Sequence, residues 1–171
     1  MPHIMKKNIL LLAFVAFALV ACDLNTVISP GVQVSSSLYR TYTTQDSLGR
    51  DTIVKDTITF TDSLNIGDTV LIPMVCQGYY DYLRMVKVSP EDTSKMQLSL
   101  AWEEEYKSVL AEDADPAHGY LSFLPEKVFA FYTTIKLVPV ASGTHRVDIQ
   151  ALSNAKENYS QGSWHFFVAV K

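Results

Sequence analysis

Three tyrosines, Tyr79, Tyr80 and Tyr82, crowd one short stretch after an apolar run, and Gly78 to Tyr82 reads as a loop. A tyrosine ring is a rigid apolar face with a hydroxyl at its tip, which suits contact with a sugar or a protein. The competing expectation is that these rings cap one end of a core. Asp113, Asp115 and His118 place oxygen and imidazole donors in one segment, the chemistry of a cation site. Their spacing fits no loop with a defined cage, so a solvated acidic turn is expected and no metal is assigned. His165, between Trp164 and Phe166, reads as a packed or surface imidazole. Cys76 closes the apolar run Val70-Leu71-Ile72-Pro73-Met74-Val75 and reads as a buried thiol.

Signatures of catalysis are missing from the chain. Its seven glycines are too far apart for a dinucleotide fingerprint or a P-loop. HExxH, CxxC and G-x-S-x-G do not occur. A hydrolase would need a pocket that joins a serine, a histidine and a carboxylate. With no cofactor pattern either, the expectation is a protein that is not an enzyme and has no cofactor.

One tripeptide form recurs: Asp46-Ser47-Leu48, Asp51-Thr52-Ile53, Asp56-Thr57-Ile58, Asp62-Ser63-Leu64 and Asp68-Thr69-Val70. It resembles the Asp-Ser/Thr-apolar acceptor for O-glycosylation of exported proteins in some Gram-negative bacteria, which implies Ser47, Thr52, Thr57 and Ser63 as candidate acceptors. Thr and Asp also serve strand edges and turns, which is the other reading of the repeat.

The first residues set the address. Lys6 and Lys7 precede an apolar run from Ile9 to Ala21, the positive and apolar regions of a secretory signal. The run is too short to span a bilayer, which takes about 20 apolar residues. Leu19-Val20-Ala21-Cys22 resembles the lipobox of bacterial lipoproteins. That resemblance implies removal of residues 1–21 and a diacylglycerol thioether on Cys22, with a further acyl chain on the new amino terminus. Each buried methylene contributes about 0.8 kcal/mol, so two or three chains hold where one does not. The implied location is the Gram-negative cell envelope, outer membrane over inner, on either face. Asp23 after Cys22 resembles an inner-membrane retention signal in some bacteria, so the membrane itself stays open.

Removing 21 of 171 residues leaves 150, the size of one domain. The loss of Lys6 and Lys7 leaves 12 basic residues against 18 acidic ones, a net charge near −6. Phosphate binding needs a basic stripe, so no nucleic acid is expected as a partner. The membrane, through the lipid on Cys22, is the expected attachment, and a protein or a glycan the expected partner. With Cys22 lipidated, Cys76 has no disulfide partner.

Residues 22–37 lack sustained periodicity, contain Pro30-Gly31 and end in three serines, which predicts a flexible tether. A single domain is expected over 38–171. It begins with a polar hairpin or long edge from Leu38 to Thr61, turning at Asp46-Ser47-Leu48-Gly49. A turn at Gly67-Asp68 precedes a strand with Val70, Ile72, Met74 and Cys76 on one face. Pro73 predicts that this strand lies on an edge or carries a bulge. Further strands are expected over Leu83 to Val88, Met96 to Trp102, Val128 to Val138, His145 to Leu152 and Trp164 to Val170. Trp102, Tyr106, Val109 and Leu110 share one helical face behind three glutamates, which predicts two to three helical turns. In the last strand Trp164, Phe166, Val168 and Val170 face inward and Phe167 outward, so the outer side is expected to be covered by that helix or by a neighbouring chain.

Many short strands with little helix predict an all-β sandwich of two antiparallel sheets. Asn65 to Val70, Gly143 to Ala151 and Trp164 to Val170 resemble the second strand and the last two strands of bacterial immunoglobulin-like domains. The chain departs from them at His145, where that family often has tyrosine, and in its helical insertion. A lipocalin-like closed barrel is the alternative fold. Together these readings predict a lipid-anchored, non-catalytic binding or structural module. The alternatives are a carbohydrate-binding accessory lipoprotein of an uptake or adhesion system, and a hydrolase.

Overall fold

The computed structural model describes residues 29–101, 104–155 and 160–171. The expected signal over residues 1–21, the stretch that resembles a lipobox and Cys22 lie outside the described residues, as do Trp102 and Glu103. Ten strands run through the described residues: β1 (Gly31–Val34), β2 (Leu38–Gln45), β3 (Asp51–Ile58), β4 (Thr69–Gln77), β5 (Leu83–Pro90), β6 (Met96–Ala101), β7 (Tyr120–Ser122), β8 (Ala130–Pro139), β9 (Gly143–Ser153) and β10 (Gln161–Val170). Two 3-10 helices, η1 (Glu104–Val109) and η2 (Pro116–His118), lie between β6 and β7.

The strands form two antiparallel sheets. Sheet A has the order β3-β2-β4-β8-β6, with β1 also on β4; sheet B has the order β10-β9-β5-β7. Neither closes on itself, so the fold is an immunoglobulin-like β-sandwich and not a barrel. The strand alternation builds the core. On β4, Val70, Ile72, Met74 and Cys76 are buried while Leu71, Pro73 and Val75 are partly exposed. They face Val86, Val88, Val147, Ile149, Phe166 and Val168 of sheet B in one cluster. Each such aliphatic or aromatic side chain contributes about 1.5–3 kcal/mol by leaving water.

Three expectations need correction. The tether reading of 22–37 fails over Gly31 to Val34, which pair with Gln77 to Met74. Val32 and Val34 pack against the core, but two valines give too short an alternation to register as a strand in the sequence. The following serines form a tight turn: the Ser35 hydroxyl donates to the Ser37 carbonyl (2.9 Å) and accepts from the Ser37 amide (3.1 Å).

Pro73 does not mark an edge or a bulge. β4 is central: β8 lines one side from Val70 to Gln77, while β2 covers Thr69 to Leu71 and β1 covers Met74 to Gln77 on the other. Pro73 falls in the gap between these two partners, and its carbonyl accepts from the Ser35 amide at 2.9 Å. The N–H and C=O of a strand residue point the same way, so the missing donor faces the gap and costs no ladder bond.

The expected helix is a 3-10 segment of six residues. Its end is drawn into sheet B, because Leu110 bridges to Phe123 and the Leu124 amide donates to the Val109 carbonyl at 2.9 Å. Tyr106 packs on Phe131 with ring centroids 4.8 Å apart. The tighter winding aligns residues three apart, and Lys107 meets Glu104 at 3.1 Å.

Candidate functional site: a tyrosine loop and an uncharged trough

The tyrosine stretch connects β4 to β5 at one end of the sandwich. It is a tight turn in which the Asp81 amide donates to the Gly78 carbonyl at 3.1 Å. Gly78 is required by space, since a Cβ there would stand 2.0 Å from the Asp81 carbonyl oxygen. Tyr79 takes up a left-handed backbone conformation (φ 57°), which turns its ring back over Gly31. A side chain on Gly31 would meet that ring, so β1 and the loop fit each other only without one.

The three rings have separate situations. Tyr82 is half-buried and stacks on Phe129, with centroids 3.9 Å apart and planes 28° apart. Tyr79 and Tyr80 are exposed, by 44% and 75%. Tyr82 and the inner face of Tyr79 therefore fix the loop to the sandwich, while Tyr80 and the outer part of Tyr79 are presented to solvent.

The same strand carries a second feature that the sequence did not suggest. A trough of about 540 Å³ crosses β1, β4 and β8, lined among others by Gln33, Ser35, Pro73, Val75, Tyr132 and Thr134. None of its lining residues is charged. Tyr132, 60% exposed, stands beside Val75 across the β4–β8 pair. Its signal in the sequence was an aromatic residue on the polar side of an alternating strand, between buried Phe131 and Thr133. Such a residue is legible only once the inner face is known.

The other candidates are placed as follows. The His118 imidazole (Nδ1) lies 2.7 Å from Asp115 Oδ2, and the Tyr120 hydroxyl donates to Asp113 Oδ2 at 3.4 Å. These groups partner one another in an exposed turn, and among the described residues no group of three His, Cys, Asp or Glu side chains could hold a metal ion. Cys76 is fully buried, and burial pushes its thiol up to about 12, so thiolate chemistry is suppressed.

Ser163, His165 and Asp148 do share one shallow polar hollow on the outer face of sheet B. Its Asp148, however, is held by Arg146, whose Nε donates at 2.9 Å and Nη2 at 2.6 Å. No hydrogen bond joins Ser163 to His165 or His165 to Asp148 among the described residues. A serine is activated through that relay, so the hollow does not assemble a nucleophile. At His145, Nε2–H donates to the Ala141 carbonyl at 2.9 Å and secures the turn before β9.

The Asp-Ser/Thr repeats occupy the β2–β3 hairpin and the crossing to β4. Ser47 at its tip, and Thr52 and Thr57 on edge strand β3, are exposed; Ser63 is half-buried. Their aspartates make structural bonds. Asp46 Oδ1 accepts from the amides of Leu48 (2.8 Å) and Arg50 (2.9 Å), Asp62 from that of Thr59 (2.7 Å), and Asp68 from that of Asn65 (2.8 Å). Asp56 receives a forked guanidinium from Arg40.

No family model and no curated protein matches the chain. Among solved structures, the chain is similar to the Salmonella SafD adhesin (11% identity, 82% of this chain and 98% of that one, TM-score 0.39). It is also similar to a family 123 glycoside hydrolase from Clostridium perfringens (15% identity, 83% of this chain and 27% of that one, TM-score 0.40). At such identities and superpositions, neither says what this chain binds or does.

Proposed function

We propose that the protein is a lipid-anchored, non-catalytic binding module of a Gram-negative cell envelope, held at the membrane through Cys22. Its contact surface is the uncharged face that β4 carries from the trough into the loop of Tyr79 and Tyr80. One observation supports this reading above the others: two adjacent tyrosines are held in solvent by a loop whose third ring is stacked in place. A loop that only capped the core would bury them. Contacts made by rigid rings lose little conformational freedom on binding, which favours such rings as anchors.

Two experiments test the reading. Cys22→Ala should abolish incorporation of labelled palmitate into the full-length chain; retained label would remove the anchor. A pull-down from detergent-solubilised envelopes, paired with a glycan array, should yield a ligand whose binding falls at least tenfold when Tyr79 and Tyr80 become alanine. An unchanged affinity would return both rings to structure. A second reading, a carbohydrate-binding accessory of an uptake or adhesion system, is favoured by the neutral, hydroxyl-bearing lining of the trough. A glycan hit weakened by Tyr132→Ala would select it; a protein partner with a silent array would select a structural or assembly module. Glycosylation is proposed for Ser47, Thr52 and Thr57, the exposed acceptors, and an intact mass equal to that of the lipidated polypeptide would exclude it.

A further inference from the structure

We propose that β10 pairs antiparallel with β10 of a second copy of this chain, across a two-fold axis through His165, so that two four-stranded sheets B become one sheet of eight.

The outer strands of the two sheets are protected unequally; β1, which lies off the main strand order, is only four residues long. β3 carries Asp51, Lys55 and Asp56, and β7 has three residues. β6 is packed by η2, and Leu98 lies against the Gly119 backbone that follows it. β10 is ten residues long and contains no Lys, Arg, Asp, Glu or Pro. Charge, proline, shortness and cover are the devices that keep a strand from pairing with another chain. Along its middle β10 has no charge or proline, and although the Phe60 ring packs on the inward Trp164 and Phe166, no backbone pairs with its edge there.

Both ends of that edge are closed. The Leu64 amide donates to the Ala169 carbonyl at 2.8 Å, and the Lys171 amide to the Leu64 carbonyl at 2.9 Å. At the other end Pro30 lies so close to Gly162 that a Cβ there would stand 1.8 Å from the Pro30 oxygen. Ala169 and Lys171 turn their backbone toward Leu64, so Ser163, His165 and Phe167, of the same parity, turn theirs to the open edge. No backbone partner meets these three on that side among the described residues.

The open window is symmetric about His165. With a two-fold axis there, Ser163 meets Phe167 of the second copy, His165 meets its own copy, and all six free backbone groups are paired at once. Phe167, 52% exposed, gains a neighbour, and Trp164 falls opposite Phe166 of the second copy on the inner side. Aromatic cross-strand pairs favour such pairing. The nearest charges on β9, Arg146 and Asp148, are paired with each other, so that strand brings no unpaired charge to the second copy. Because η1 lies against β7 and β8, it does not supply the cover that an outward Phe167 called for.

Residues that meet across such an axis have Cα atoms about 5.5 Å apart, within reach of a disulfide. Ser163 and its own copy would be separated by about 14 Å. Full-length His165→Cys, treated with a mild oxidant in membranes, should therefore give at least tenfold more covalent dimer than either the unsubstituted chain or Ser163→Cys. Ser163→Cys combined with Phe167→Cys should restore the dimer. No excess at residue 165, or equal linking by the single variants at 163 and 165, would overturn the pairing. Sedimentation of the unsubstituted full chain in detergent is the independent measurement. Two copies per particle are expected, falling to one in His165→Lys with thermal unfolding unchanged; a single copy at every concentration would refute the dimer.

Discussion

Arg40 illustrates how much of this fold rests on single polar side chains. It donates a fork to Asp56 across the β2–β3 pair, with Nε to Oδ1 at 3.1 Å, lies 3.9 Å from Asp68, and stacks over Tyr42 at 5.0 Å. The hydrogen bond with Asp56 holds its guanidinium above the usual arginine value. Asp68 is only 4% exposed and also caps the Asn65 amide, so it joins the hairpin to the start of β4. Asp68→Ala should lower stability by about 1–3 kcal/mol, the ordinary cost of a lost charged bond and an unsatisfied amide. Chemical denaturation of the two proteins, at unchanged slope, checks it. Cys76 gives a second residue-scale prediction: its thiol should resist alkylation at neutral pH in the folded protein and react fully in denaturant. Rapid labelling of the native state would show that β4 opens.

At the scale of elements, the turns carry the pH dependence. Asp46 is held below the ordinary carboxylate value by amide bonds from Arg50 and Leu48, Asp62 by the Thr59 amide, and Asp92 by the Ser94 hydroxyl and amide. A carboxylate depressed in the folded state contributes stability above its unfolded value and loses it as pH falls through its folded one. The Tm should therefore be flat from neutral pH down to about 5, then fall as acid protonates these three turns. A triple Asn variant should flatten that acid limb, and an unchanged limb would place the sensitivity elsewhere. In the tyrosine loop, Gly78→Ala should cost about 1–3 kcal/mol through its clash with Asp81. It should also weaken any binding that depends on Tyr79 and Tyr80.

The elements also show what the sequence could and could not reveal. The buried faces of β4 and β10 were readable because period-two alternation is imposed by the strand itself, residue by residue. The hairpin at Asp46 was readable for the same local reason, since an aspartate two residues before an amide makes the turn. β1 was not: four residues become a strand only because β4 lies beside them. The helix was misread because its charges and apolar spacing suit an α-helix, while Phe123 and Phe131 pull the segment into a tighter coil. The tyrosine stretch was identifiable as a loop, but which ring would be buried depended on Phe129, a residue 47 positions from Tyr82. The trough draws on four strands from distant parts of the chain, and no local pattern encodes it.

For the molecule as a whole, the strands order space rather than sequence. β4 meets β8 across about a third of the chain, and β5 meets β9, so almost no sheet forms between neighbours in sequence except the β2–β3 hairpin and the β9–β10 pair. Such non-local closure makes folding slow, on the order of milliseconds to seconds. Refolding followed by tryptophan fluorescence should fall in that range, and a microsecond phase carrying the full amplitude would contradict it.

The gap at Pro73 has a mechanical side. A pull delivered from residue 28 enters the domain at β1, four residues long and paired to β4 only beyond the proline. Because β2 holds β4 through a separate set of bonds on the near side of that gap, β1 can peel away without unzipping its neighbour. Tension applied at that end would load the β1–β4 bonds and the packing of Val32 and Val34 before it reached the bonds between β2 and β4.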